Sequence, residues 1–207
     1  DPNLLRYGEE ITPNLHALAR TFNVSDNFYT EAEESDSGHI FLTSGHFTEY
    51  VQRIWVEKDR SSLVNRYYQA HPAIIPDKGN LFTHLLDHDI DIRIYGEIVG
   101  LYNETRDGRR AFDFAEHTFP GGIAANFEIE DELKARFIVD HIEAGKLAKF
   151  TYILLPNDHT LGTSRDVPTP ESMVADNDYA VGLIIDALTR SPFWDKSAVR
   201  SEEHTSE

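Results

Sequence analysis

The chain contains no cysteine, which excludes disulfide bonds and thiolate metal sites and leaves oxidising and reducing compartments equally open. Basic residues are scarce: 19 Lys and Arg face 36 Asp and Glu, for a formal net charge of -17. Such a surface disfavours nonspecific attraction to nucleic acid or to an anionic membrane and makes a cation the more natural partner. The alternative is that the acids only form a solvated surface. No apolar run approaches the roughly 20 residues that a membrane span needs. The start, Asp1-Pro2-Asn3, has neither an initiator Met nor a basic and apolar leader, a pattern compatible with a signal peptide lost upstream. Internal repeats, low-complexity stretches and Gly-, Ser- or Pro-rich linkers are all missing. So are a Gly-rich phosphate loop and a serine elbow of the hydrolase type.

What remains is the composition of a packed globule. Hydrophobic residues make up 40% of 207, and aromatics, at 11%, are spread through the chain. That is enough to bury the core of one α/β domain, or a piece of one. Thr12-Pro13 followed by Leu15, Leu18, Ala19 and Phe22 predicts a short helix with a cap and a Pro at its first position. Val24 to Tyr29 reads as a strand, and Ile40 to Val56 as one longer helix weakened by Gly45. Leu81 to Leu86 reads as a helix, and the alternation from Ile90 to Tyr95 as a half-buried strand. Glu130 to Lys146 carries Leu133, Phe137, Ile138 and Ile142 on one helical face, and Phe150 to Leu155 is a short apolar run typical of a buried parallel strand. Thr169-Pro170-Glu171 opens a last long helix that ends near Ser191-Pro192. Strand and helix alternate, so the expected fold class is α/β, with a mostly parallel sheet flanked by helices. Residues 102 to 129 read as an irregular excursion that covers a site. Residues 200 to 207 match the translation of a sequencing adapter. The expected natural domain is therefore 1–199, with a further strand beginning in Ser191 to Val199.

Two loops carry residues suited to chemistry. Glu31 to His39 lies between a strand end and a helix start, where backbone N–H groups favour an anion such as phosphate. Either Ser35 or Ser37 is a candidate nucleophile there if a base or metal ion activates it, and either is equally a plain helix cap. Asn157-Asp158-His159 follows the strand at 150–155, and Asp with neutral His is a typical donor set for zinc and similar ions, or else a hydrogen-bonded turn. Asp87-His-Asp89-Ile-Asp91 suggests a calcium loop, but Ile92 stands where Gly is needed and Ile98 where Glu is needed. His16, His46, His71, His84, His88, His117 and His141 sit in no ligand-like spacing.

Taken in order, Thr12 to Ala19, Ser25 to Tyr29, Ser35 to His39, Tyr95-Gly-Glu97, Pro156 to His159 and Val174 to Asp178 resemble the phosphoesterase branch of the alkaline phosphatase superfamily. Relatives in this branch include bacterial phosphatase- and phospholipase C-like proteins, some fused to a β-propeller. In that superfamily a nucleophilic Ser or Thr lies four residues before a His in the turn opening a helix that continues to a Gly, as Ser35, His39 and Gly45 do. The resemblance implies a metal-dependent phosphoesterase with Ser35 as the attacking residue and its alkoxide held by a divalent ion (zinc, manganese or calcium). It implies that His159 is a metal ligand with Asp158 beside it, although Asp158 abuts the His where many relatives have a wider spacing. The implied substrate is a phosphate ester, small molecule or lipid, with sulfate and phosphonate esters as alternatives within the superfamily. A periplasmic or secreted location is implied too. So is a domain incomplete at both ends, whose other metal ligands lie beyond this chain and which is a poor catalyst as it stands. A noncatalytic cation-binding or interaction module is the reading from a different class.

Overall fold

The computed structural model describes residues 7–25, 27–29, 35–60, 71–97 and 100–202. Six α-helices and two strands occur among them: α1 (Pro13–Thr21), α2 (Ser35–Ser44), α3 (Glu49–Arg60), α4 (Leu81–Asp87), β1 (Ile92–Tyr95), α5 (Asp131–Glu143), β2 (Phe150–Ile153) and α6 (Pro170–Thr189). The fold is α/β with a small parallel sheet. Contacts gather the chain into two compact units, one of Asp1–Phe28, Thr118–Leu147 and Leu154–Glu207, the other of Tyr29–His117 and Ala148–Ile153. Among the described residues no helix is long and apolar enough to cross a membrane.

The second unit holds the sheet. β1 and β2 pair in parallel, with Ile92 opposite Phe150 and Tyr95 opposite Ile153. Ile92, Ile94 and Tyr95 are buried while Arg93 is not, close to the alternation read from the sequence. β2 is half-buried along its length, less covered than its apolar run suggested. α4 closes on β2 through Phe82, whose ring meets Tyr152 edge-on at 5.5 Å. The start of α4 is secured by a reciprocal cap: Thr83 N–H donates to Asn80 Oδ1 and Asn80 N–H to Thr83 Oγ1, at 3.0 and 2.9 Å. A separate apolar cluster of Ile40, Val51, Ile74 and Ile75 joins α2, α3 and the 3₁₀ turn Pro72–Ile74. The single helix expected over Ile40 to Val56 is two helices. Gly45 has φ +75°, a left-handed conformation that ends α2, and α3 begins four residues later.

In the first unit α6 packs along α5, burying Met173, Val174 and Ala180 of α6 and Ala135, Ile138 and Ile142 of α5. α1 crosses α6 closely at Gly182, where a side-chain carbon would fall 2.5 Å from Asn14 Cγ. Pro13 opens α1 as expected, but Thr12 makes no side-chain cap. The Asp178 carboxylate of α6 does so instead, accepting from Asn14 N–H at 3.0 Å, Leu15 N–H at 2.7 Å and Asn14 Nδ2 at 2.8 Å.

Two expected strands are not formed among the described residues. The described residues from Val24 to Tyr29 are irregular, with Val24, Phe28 and Tyr29 exposed to 46%, 70% and 79%. β propensity alone does not make a strand where no neighbour supplies a ladder. Ser191 to Val199 forms a 3₁₀ turn at Trp194–Lys196 and is otherwise irregular. The excursion over 102–129 is irregular as read, with a 3₁₀ turn at Ala111–Phe114. Of the suspected adapter residues, 203–207 lie outside the described residues, as do Thr30 to Glu34 of the acidic loop before Ser35.

Asp178→Ala strands two backbone donors at the start of α1 and is expected to lower stability by about 1–3 kcal/mol. Asp178→Asn, which keeps an acceptor oxygen, should cost less, and urea unfolding midpoints compare the two.

Candidate functional site

Ser35 is the first residue of α2, half-buried, at the helix end where the macrodipole is positive. Ser37, the other serine of the motif, is buried to 5% exposure. His39 lies one turn after Ser35 on the same face of α2. Its Nδ1 is 2.5 Å from Glu97 Oε2. Glu97 follows β1 by two residues, is 2% exposed, and also accepts from Tyr152 Oη of β2 at 3.4 Å. The turn of α2 that carries Ser35 is thereby tied to the carboxyl end of the sheet, the edge at which open α/β sheets collect ligands. The role of Glu97 was not legible from spacing. Tyr95-Gly-Glu97 was named in the sequence for its family likeness alone, with no role given to the acid.

Asp158 and His159 belong to the other unit. The chain leaves β2 through Leu154 and Leu155 and turns in a 3₁₀ helix, Pro156–His159, in which Pro156, Asn157 and Asp158 are buried. Thr160 follows with φ +59° and ψ 176°, a conformation that glycine tolerates and threonine does not, at a cost of about 1–3 kcal/mol. Backbone strain of this kind gathers at functional sites, where surrounding contacts enforce it.

The contacts that hold the preceding turn are polar and buried. Asp131 Oδ2 accepts from Asn157 N–H at 2.9 Å and from Asn177 Nδ2 at 3.0 Å, while Oδ1 takes the Lys134 ammonium at 2.8 Å. Asn177 Nδ2 also donates to Leu155 O at 2.8 Å. Asp176 accepts from Asn157 Nδ2 at 2.9 Å and from the N–H groups of Asp131 and Glu132 at 2.6 and 3.2 Å, capping α5. Lys134 Nζ reaches the Asn126 carbonyl at 2.7 Å, and the neighbouring Phe127 stands edge-on to the His159 ring at 6.3 Å. Burial pushes the Asp131 carboxyl above its usual range, and Lys134, Asn177 and Asn157 pull it back. Asn157, Asp176 and Asn177 lie in segments named from the sequence, but these partnerships were not read there, nor were Asp131 and Lys134, since the contacts that close the network join residues 19 to 46 apart.

A divalent ion is tested here by the donors present. Asn157 Oδ1 is buried without a hydrogen-bond partner among the described residues, an acceptor directly beside an Asp-His pair. This donor chemistry suits a cation in part, since no group of three His, Asp or Glu side chains able to hold a metal occurs among the described residues. Asp158 and His159 are thus brought into one turn, and Ser35 is held in the other unit.

The sequence model of the Phosphoesterase family matches residues 3–200. No curated protein and no solved structure matches the chain.

Asp131→Ala leaves the Lys134 ammonium, 2% exposed, without its buried partner and is expected to cost about 3–5 kcal/mol. The double change Asp131→Leu with Lys134→Met should recover part of this loss but not all, since Asn157 and Asn177 still lack their acceptor. A double-mutant cycle from urea midpoints measures the difference.

Proposed function

This chain belongs to the Phosphoesterase family, and from that premise we propose that Ser35 is the nucleophile of a hydrolase that cleaves phosphate esters with the help of a divalent ion. The observation that carries the assignment is Ser35 at the opening of α2, half-buried, one turn ahead of a histidine bound to buried Glu97. Ser37 is the weaker candidate because its side chain is buried.

The reaction follows from the nucleophile. Ser35 Oγ attacks phosphorus in line with the ester oxygen, the Oγ–P bond forms as the P–O ester bond breaks, and the departing alkoxide takes a proton. Water then attacks phosphorus, the Oγ–P bond breaks, phosphate leaves and Ser35 regains its proton. The amino end of α2 offers backbone dipoles to the charge that builds on the phosphoryl oxygens. Asp158 and His159, beside Asn157 Oδ1, would hold the ion, of zinc, manganese or calcium type. When bound, such an ion lowers the pKa of a hydroxyl and neutralises phosphoryl charge. The 3₁₀ turn keeps the two donors together. Kinship with the alkaline phosphatase superfamily, and further ligands supplied by sequence flanking this chain, belong to the same proposal, as does a small-molecule or lipid substrate.

The test is hydrolysis of 4-nitrophenyl phosphate by the protein expressed with its native flanking sequence. Ser35→Ala should lower the rate by about a thousandfold or more, whereas Ser37→Ala should stay within a few-fold of the parent. EDTA should abolish turnover, and added zinc, manganese or calcium should restore it. Undiminished turnover in Ser35→Ala would remove Ser35 from the mechanism, and indifference to EDTA would remove the ion.

A further inference from the structure

We propose that Glu97 is a positioning residue for Ser35, acting through His39, so that the reach of the nucleophile is set by a buried carboxylate at the end of β1. The inference deepens the reading of Ser35 as nucleophile and rests on it.

The opening of α2 is poorly built to hold itself. It reads Ser35-Asp36-Ser37-Gly38, four residues of modest or low helix propensity. The apolar anchors of the helix lie later: Ile40 is fully buried in the cluster with Val51, Ile74 and Ile75. An amino end of this kind frays unless a tertiary contact holds it. One contact that holds it is His39 Nδ1 to Glu97 Oε2 at 2.5 Å. Side chains on a helix lean toward its amino end, so the ring at position 39 lies along the face that also carries Ser35. Fixing that ring fixes the turn above it.

Glu97 is itself well placed for this work. It is 2% exposed, and the same carboxylate oxygen that meets His39 accepts from Tyr152 Oη at 3.4 Å. Tyr152 stands on β2 in register with Ile94 of β1, so both strands back the acid. For stability alone a buried, hydrogen-bonded acid is a poor investment, because well-packed apolar residues of similar volume commonly do as well or better. What such a group offers is one defined geometry. Displacement of a reacting group by about 1 Å can lower a rate by about a hundredfold, so a small loosening of this turn has a large kinetic signature.

Two measurements on Glu97→Ala and Glu97→Gln, made with the protein in its native flanking sequence, test the proposal. The first is the split between kcat and KM for 4-nitrophenyl phosphate. The expectation for Glu97→Ala is a fall in kcat of about tenfold to a hundredfold with KM within about twofold. Glu97→Gln, which keeps shape and an acceptor oxygen for His39 and Tyr152, should retain most of the rate. The second is hydrogen–deuterium exchange. Peptides covering residues 35–40 should exchange faster in Glu97→Ala, while those covering α5 keep the parent's protection. A Glu97→Ala protein with lowered thermal stability, unchanged kcat and unchanged exchange at 35–40 would overturn the proposal. If Glu97→Ala does not fold, His39→Ala decides it: parent-like kcat and exchange at 35–40 would overturn the proposal, and a lowered kcat with faster exchange there would support it. Should the parent itself not hydrolyse the ester, or Ser35→Ala remain fully active, the reading of Ser35 fails on its own. The exchange data then still decide whether Glu97 holds the opening of α2.

Discussion

A buried aspartate with more claims on it than it has oxygens organises the first unit of this protein. Asp131 holds Lys134, the amide of Asn157 and the side chain of Asn177 on one carboxylate, with no exposure to water. Left unsatisfied, any one of these buried donors would cost on the order of 1–3 kcal/mol, and the ammonium more. The low-dielectric surroundings that make the network expensive to break also make its geometry unique. Its product is local: the 3₁₀ turn Pro156–His159 has no long element of its own, yet Leu155 O, Asn157 N–H and Asn157 Nδ2 are each tied down. Thr160, at φ +59°, directly follows that turn.

The same economy of means recurs along α6. Three consecutive residues do three jobs: Asp176 caps α5, Asn177 holds the carbonyl of Leu155, and Asp178 caps α1. Carboxylates at helix amino ends satisfy orphan N–H groups and meet the favourable end of the dipole. In the second unit one carboxylate again serves several elements, with Glu97 joining α2 and β2 at the end of β1. The net charge of -17 thus conceals a division of labour, in which a few buried acids arrange backbone and the remainder face water.

Much of the secondary structure was legible because it is written locally. Pro13 and Thr169-Pro170 each mark a helix start, and the Ile92–Tyr95 alternation marks a strand. The errors came where local preference is overridden. Val24, Phe28 and Tyr29 have strand-like side chains, yet the described chain gives them no ladder. Gly45 was noticed as a weak point in one helix and is in fact the end of it. Of the candidate site, Ser35, Asp158 and His159 were read from motif likeness, whereas Asp131 and Lys134 were not, and Asp176 entered only as part of the Val174–Asp178 likeness, with no role. Lys134 lies only three residues from Asp131, but Asp131 and Asp176 also reach partners 19 to 46 residues away, and an aspartate in a helix's first turn looks the same whether it faces solvent or a buried lysine.

Membership of the Phosphoesterase family gives these arrangements a chemical purpose, and the account turns on which atom first bonds to phosphorus. Acid quenching during turnover of a phosphate ester, followed by peptide mapping, tests that directly. The account predicts phosphate covalently bound to the peptide carrying Ser35, absent when residue 35 is alanine. Phosphate found on Ser37 or on a histidine instead, or steady turnover with no phosphorylated peptide in any quench, would contradict it.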